Sequence, residues 1–287
     1  MDRNQNPFRT DKTLRSEIKM RLLNRLWLNY ASGGYIYQAE TVTLLRALTG
    51  TYSTARKIQI DKMIKSLKAA GIWAKLDVFQ MYAAPTAADA VVNWKSPGTF
   101  NATLVNSPTL EADRGITGDT AKGVNTNFNP GDGGTHNYLL DSCSVGIAYA
   151  GTPGGTVLFG VSDGTNTTSF NITKQLRLNS VVGSPATFID AKYATAGIIQ
   201  FCRTSSTSIN GYVNGGTKET KALNSLALPN YNIYVNAYNS SGTLGFAATG
   251  IITRLFYAGS SMSDAEVLAF STALETYLDY IGAGVIA

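Results

Sequence analysis

At 287 residues, with 44% hydrophobic and 15% charged side chains, the chain can build one large domain or two modest ones, and it is too apolar to be a disordered segment. The net charge of +5 is unevenly placed: residues 1–80 carry fourteen Lys/Arg against six Asp/Glu, and residues 81–287 carry ten against thirteen. A lone histidine, His136, and two widely spaced cysteines exclude a zinc site, and no apolar run reaches the roughly 18 residues of a membrane-spanning helix.

The first ten residues, with Arg3, Pro7 and Arg9, read as an arm, and they lack the apolar core of a signal peptide, so Sec-type export is not expected. Residues 12–30 follow as a predicted amphipathic helix. Ile18, Leu22 and Leu26 adjoin Leu23, Trp27 and Tyr30, while Arg15, Lys19, Arg21 and Arg25 fill the other face. That apolar face is wider than a solvated helix needs, so it is expected to pack on the domain or on a neighbouring subunit. The basic residues read either as a solvated face or as a surface for an acidic partner. With no helix-turn-helix or RNP-type signature, nucleic acid is not the expected partner.

A short helix is predicted over 40–48, and a longer one over 53–71. In the latter Ile60, Met63, Ile64 and Leu67 form one stripe, Ser53 or Thr54 caps the start, and Gly71 supplies the left-handed stop. Burying the four stripe residues is worth about 6–12 kcal/mol, at roughly 1.5–3 kcal/mol each. Trp73, Leu76, Phe79, Met81 and Tyr82 come next. They read as glue between helix and sandwich, with a sugar-stacking platform as the alternative.

From about residue 93 the period changes to two. Strands are predicted at 143–150, 156–161, 168–172, 175–178, 196–203, 208–213, 231–238 and 250–257, separated by Gly/Asn/Asp/Ser turn clusters. That spacing argues a β-sandwich or jelly roll. Cys143 and Cys202 fall in strands and read as a buried free pair, or as a disulfide if adjacent strands bring them together. Ser263-Asp-Ala-Glu266 is a capping box opening a last helix with Val267, Phe270, Leu274 and Leu278 on one face.

Gly71-Ile-Trp-Ala-Lys-Leu-Asp77, Asn93-Trp94, Val105-Asn-Ser-Pro-Thr109, Asp113-Arg-Gly115, Gly118-Asp119, Asn127-Phe-Asn-Pro130 and Tyr257-Ala-Gly259 resemble a family of tailed-phage and prophage virion proteins. The resemblance covers roughly residues 40–287. It implies a mainly β fold, a concanavalin A-like (laminin-G-like) jelly roll with an N-terminal helical region and a C-terminal packing helix. Thr120-Ala-Lys-Gly123 departs from the usual continuation after Gly118-Asp119 and lacks the tyrosine that often follows, a change that removes no obvious chemistry. The implied organisation is a basic helical attachment arm at 1–38, a helical junction at 39–92, the sandwich at 93–262, and the closing helix and tail at 263–287.

Catalysis is not expected. A retaining glycosidase needs two carboxylates about 5–5.5 Å apart. The only close pair in the β region is Glu111 with Asp113, which could share a sheet face, with Arg114 as the expected ion partner. No Gly-x-Ser-x-Gly elbow accompanies His136. Asp132 and Asp163 could each offer one calcium ligand, but both sit in Asx-turn sequences. No metal or cofactor is expected. Two compatible readings remain. One is a virion structural subunit, a capsid decoration or tail component, assembled onto other virion proteins through Arg15, Lys19, Leu22, Leu23, Arg25, Leu26, Trp27 and Tyr30, and itself a homo-oligomer with a trimer among the options. The other is an adhesion protein recognising host surface glycans, with Tyr138, Tyr149, Tyr193, Tyr231 and Tyr238 as candidate stacking contacts.

Overall fold

The computed structural model describes residues 34–286 apart from Thr156. The helix predicted at 12–30 of the attachment arm, with its eight candidate partner contacts, lies outside the described residues. Five α-helices are described: α1 Ala39–Ala47, α2 Thr54–Ala69, α3 Ile72–Lys75, α4 Ala87–Ala90 and α5 Asp264–Tyr280. The strands are β1 Leu76–Met81, β2 Thr103–Val105, β3 Leu110–Glu111, β4 Gly115–Thr117, β5 Gly123–Asn125, β6 Cys143–Gly155, β7 Val157–Ser162 and β8 Asn166–Asn171. They continue as β9 Gln175–Val181, β10 Ala186–Thr187, β11 Gly197–Arg203, β12 Ser208–Val213, β13 Thr217–Ala222, β14 Tyr234–Val235, β15 Ala237–Ser240 and β16 Thr243–Gly259.

These make the expected mainly β sandwich, with a helical layer on one side. The inner sheet runs β13-β12-β11-β6-β16, with β1 and β4 on the free edge of β16. The outer sheet runs β10-β9-β8-β7-β15 and joins the first residues of β16. The 17-residue β16 therefore crosses from one sheet to the other, bulging between Thr249 and Ile251 and again between Thr253 and Leu255. The β12–β13 hairpin closes over Asn214, Gly215 and Gly216; Asn214 and Gly215, both at positive φ, are the central residues of a primed turn in which the Gly216 amide donates to the Val213 carbonyl.

Alternation along the inner strands feeds two cores. Ile199 and Phe201 of β11, and Val145, Ile147 and Tyr149 of β6, face the outer sheet. Ile198, Cys202 and Ala148, one residue out of phase, face the helices, where Ile60, Met63, Ile64 and Leu67 of α2 meet Val267, Phe270, Leu274 and Leu278 of α5. The caps follow the sequence: Ser53 accepts from the Arg56 amide, Gly71 sits at φ 73°, and Ser263 and Glu266 form the reciprocal capping box.

Two local expectations change, and one alternative falls. Residues 76–81 are not a helical junction but a strand, pairing Phe79 with Tyr257, so the sheet begins before residue 93. Trp73, Leu76, Phe79, Met81 and Tyr82 are all buried, which makes them core and removes the stacking-platform alternative. The stretch predicted as one strand at 231–238 breaks at Asn236, whose φ of 58° turns the chain between β14 and β15. Cys143 and Cys202 are free and buried on opposite faces of the inner sheet.

Candidate functional site

The inner sheet has both faces covered, whereas the outer sheet keeps a solvent side. There one row of residues crosses five strands in register. Arg177 of β9 lies opposite Ser169 of β8, Ser169 opposite Gly160 of β7, Gly160 opposite Tyr238 of β15, and Tyr238 opposite Gly245 of β16. The flanking residues Leu176, Leu178, Phe170, Phe159 and Val161 point the other way, into the core. Each row member is thus on the wet face because its neighbours are apolar and alternate with it.

The row forms the floor of a groove of about 440 Å³, whose lining includes Ser162, Ser169, Asn171, Arg177, Tyr238, Ser240 and Phe246. The Tyr238 ring lies across Gly160: a Cβ built there would stand 2.5 Å from Tyr238 Cδ2. Its hydroxyl reaches over to Thr167 Oγ1 at 3.2 Å, which fixes the ring against the sheet. Phe246, 66% exposed, stands beside it with ring centroids 6.4 Å apart. An exposed phenylalanine beside a pinned tyrosine makes an apolar step that polar side chains surround.

The polar partners divide into used and unused groups. Asn171 Oδ1 accepts from the Gln175 amide, and Ser162 Oγ accepts from the Gly164 amide. The Ser169 and Ser240 hydroxyls and the Arg177 guanidinium have no hydrogen-bond partner among the described residues, and Arg177 Nε is buried without one. Asp163, at the rim, is not available to Arg177. Its carboxylate accepts from the Thr165 and Asn166 amides and from Asn166 Nδ2. Burial acts to raise that carboxyl, but the Asn166 and Thr165 donors outweigh it and hold it below the usual range.

The five candidate tyrosines separate. Tyr238 belongs to the groove, and Tyr231 is exposed beside the β15–β16 turn, near Gly242. Tyr138, Tyr149 and Tyr193 are buried and cannot stack on a ligand at the surface, which corrects their assignment as contacts. Tyr149 shares the inward parity of Val145 and Ile147. Tyr193 is folded in by the 3-10 turn Ala191–Ala194 and stacks on Phe201 at 6.2 Å; Tyr138 donates from its hydroxyl to Asn179 Oδ1 at 2.9 Å. Phe246 and Arg177 were missed by the sequence reading. The available signal for Arg177 was its place between Leu176 and Leu178, a cation on the wet face of a strand in an almost charge-free region.

The carboxylates considered for catalysis do not assemble. Asp113 lies in the turn after β3 at φ 59°, not on a sheet face with Glu111, and its ion partner is Arg56 at 2.6 Å. Arg114 instead donates to the Gly282 carbonyl. Asp132 accepts from the Gly134 amide and pairs with His136 at 2.7 Å, and among the described residues no three His, Cys, Asp or Glu side chains converge as a metal set.

No family model and no curated protein matches the chain. Solved structures do. A mutant of HCR/D aligns over 71% of this chain and 53% of its own, at 9% identity and a TM-score of 0.51. The botulinum neurotoxin serotype D binding domain aligns over 70% and 52%, at 12% identity and a TM-score of 0.49. The CBM40 of a Ruminococcus gnavus IT-sialidase, bound to alpha2,3 sialyllactose, aligns over 46% and 84%, at 16% identity and a TM-score of 0.34. This chain therefore spans about half the length of the first two, and the HCR/D likeness supports the β-sandwich fold.

Proposed function

We propose that the chain is a lectin-like recognition protein whose outer-sheet groove binds a carbohydrate. The observation that carries this reading is the Tyr238 ring pinned across Gly160 beside the exposed Phe246, with the unpartnered Ser169 and Ser240 hydroxyls in the same groove. A sugar offers a flat C–H face to aromatic rings and hydroxyls to short polar side chains, so this mixture suits it. The reading that the domain is mounted on a phage particle through residues 1–38 rests on the motif resemblance and on the basic, apolar-faced segment at 12–30.

Glycan-array screening of the full chain, followed by titration calorimetry on the best ligand, tests the groove. Tyr238→Ala and Phe246→Ala are expected to weaken binding at least about tenfold, with thermal melting close to wild type for Phe246→Ala. Binding that survives both changes, or no glycan bound at all, overturns the assignment. For the mount, deletion of residues 1–38 is expected to leave the sandwich folded and to abolish incorporation into particles; normal occupancy of the truncated chain would defeat that reading.

A further inference from the structure

We infer that the groove reads a carboxylate-bearing sugar and that Arg177 is the residue that recognises the acid. This inference rests on the carbohydrate-binding reading and names the ligand class within it. Arg177 is the one charged residue among those lining the groove. Its guanidinium has no partner among the described residues, and its Nε is buried. A half-buried cation without a counter-charge is unfavourable in the free protein, and a bound anion relieves that penalty. The guanidinium fork matches the two oxygens of a carboxylate in a way a lone hydroxyl cannot.

Register fixes the spacing. Three strand steps separate Arg177 from Tyr238, through Ser169 and Gly160, or about 14 Å between backbones at about 4.8 Å per step. The Tyr238 ring extends across β7 toward β8, because it lies over Gly160 and its hydroxyl reaches Thr167, two residues along β8 from Ser169. A mono- or disaccharide stacked on Tyr238 would therefore carry its substituents over Ser169 and toward the guanidinium. Asp163 does not compete, since its carboxylate is held by the amides of its own turn.

The test uses the full chain and matched pairs of sugars differing by the acid: lactose against sialyllactose, and a glucose-terminated against a glucuronate-terminated disaccharide, with a sulfated disaccharide as a third arm. Calorimetry is expected to give at least about tenfold tighter binding to the carboxylated member of a pair. Arg177→Gln should erase that preference, bringing the affinity ratio within each pair to about one, and Arg177→Lys, with the charge but not the fork, should recover only part. Equal binding of both members by wild type overturns the inference and leaves the carbohydrate-binding reading standing. A preference that survives Arg177→Gln, or stronger binding of the sulfated sugar, also overturns it. If wild type binds none of the sugars, both readings fall together.

Discussion

Gly160 and Tyr238 occupy one volume: a Cβ on Gly160 would stand 2.5 Å from Tyr238 Cδ2, 3.0 Å from Cε2 and, on the other side, 2.8 Å from Ser169 Cβ. Gly160→Ala therefore must displace the ring or part the strands. The expected outcome is a destabilisation of about 1–3 kcal/mol in urea titration, as for other overpacked sites, together with loss of sugar affinity in calorimetry. Gly216→Ala is the control, because a Cβ there meets nothing within 4 Å. A Gly160→Ala protein that binds like wild type would show that the ring does not form the platform.

Arg56 holds three elements at once. Its Nε donates to Tyr277 Oη on α5 at 3.2 Å, one terminal nitrogen reaches Asp113 at 2.6 Å, and the other reaches the Ala83 carbonyl at 3.4 Å. Asp113 is 40% exposed, so the ion pair itself is heavily screened by water. The buried hydroxyl and carbonyl carry the greater penalty when the cation is removed. Arg56→Met is expected to cost about 1–3 kcal/mol, and Asp113→Asn under about 1 kcal/mol, both by denaturant titration. Equal losses from the two would place the energy in the ion pair instead.

Glu275 predicts a pH dependence. Its Oε1 accepts from the Val285 and Ile286 amides, both at 2.7 Å, while Oε2 is buried without a partner. Burial raises this carboxyl and outweighs the two amide donors. An acid whose folded value lies above its unfolded one favours folding when protonated. Its contribution is thus complete below about 4.5 and falls as pH rises through the folded value. Glu275→Gln keeps the acceptor for both amides and removes the charge. The variant should gain on wild type in melting temperature between acid and neutral pH. A difference that stays constant across that range would refute the assignment.

Both cysteines should be silent in the native state. Burial pushes Cys143 and Cys202 up to about 12, which leaves almost no thiolate at neutral pH. Thiol-reactive dye is expected to label neither residue in buffer and both in denaturant. Fast native labelling of either would contradict the packing of that strand.

Much of the architecture was legible because it rests on local, periodic signals. The α2 stripe at Ile60, Met63, Ile64 and Leu67, the Ser263/Glu266 box and the 208–213 strand all stand where their spacing places them. The Leu76–Met81 strand was hidden because it is buried on both faces: Phe79 serves the helical core and Val78 the sandwich core, so no alternation of polar and apolar residues marks it. The candidate site was the least legible. Tyrosine identity alone does not reveal parity: Tyr149 on β6 points into the sandwich core and Tyr238 on β15 points out of it. The row from Arg177 to Tyr238 joins residues 61 positions apart through three strand registers, and that pairing is written in no local pattern.

Arg177, Ser169, Tyr238 and Phe246 belong to neither hydrophobic core. The domain can therefore exchange what it recognises without renegotiating how it folds. The exposed Phe246 and the half-buried Arg177 can change without touching the packed layers, whereas Ser169 is buried and Gly160, wedged beneath the tyrosine, is tied to whichever ring lies above it. Among natural variants of this chain, diversity should gather on the solvent side of β8, β9, β15 and the start of β16, with position 160 staying small wherever 238 stays aromatic. A lineage under pressure to switch ligands would have a surface on which to do so, at little risk to its own stability.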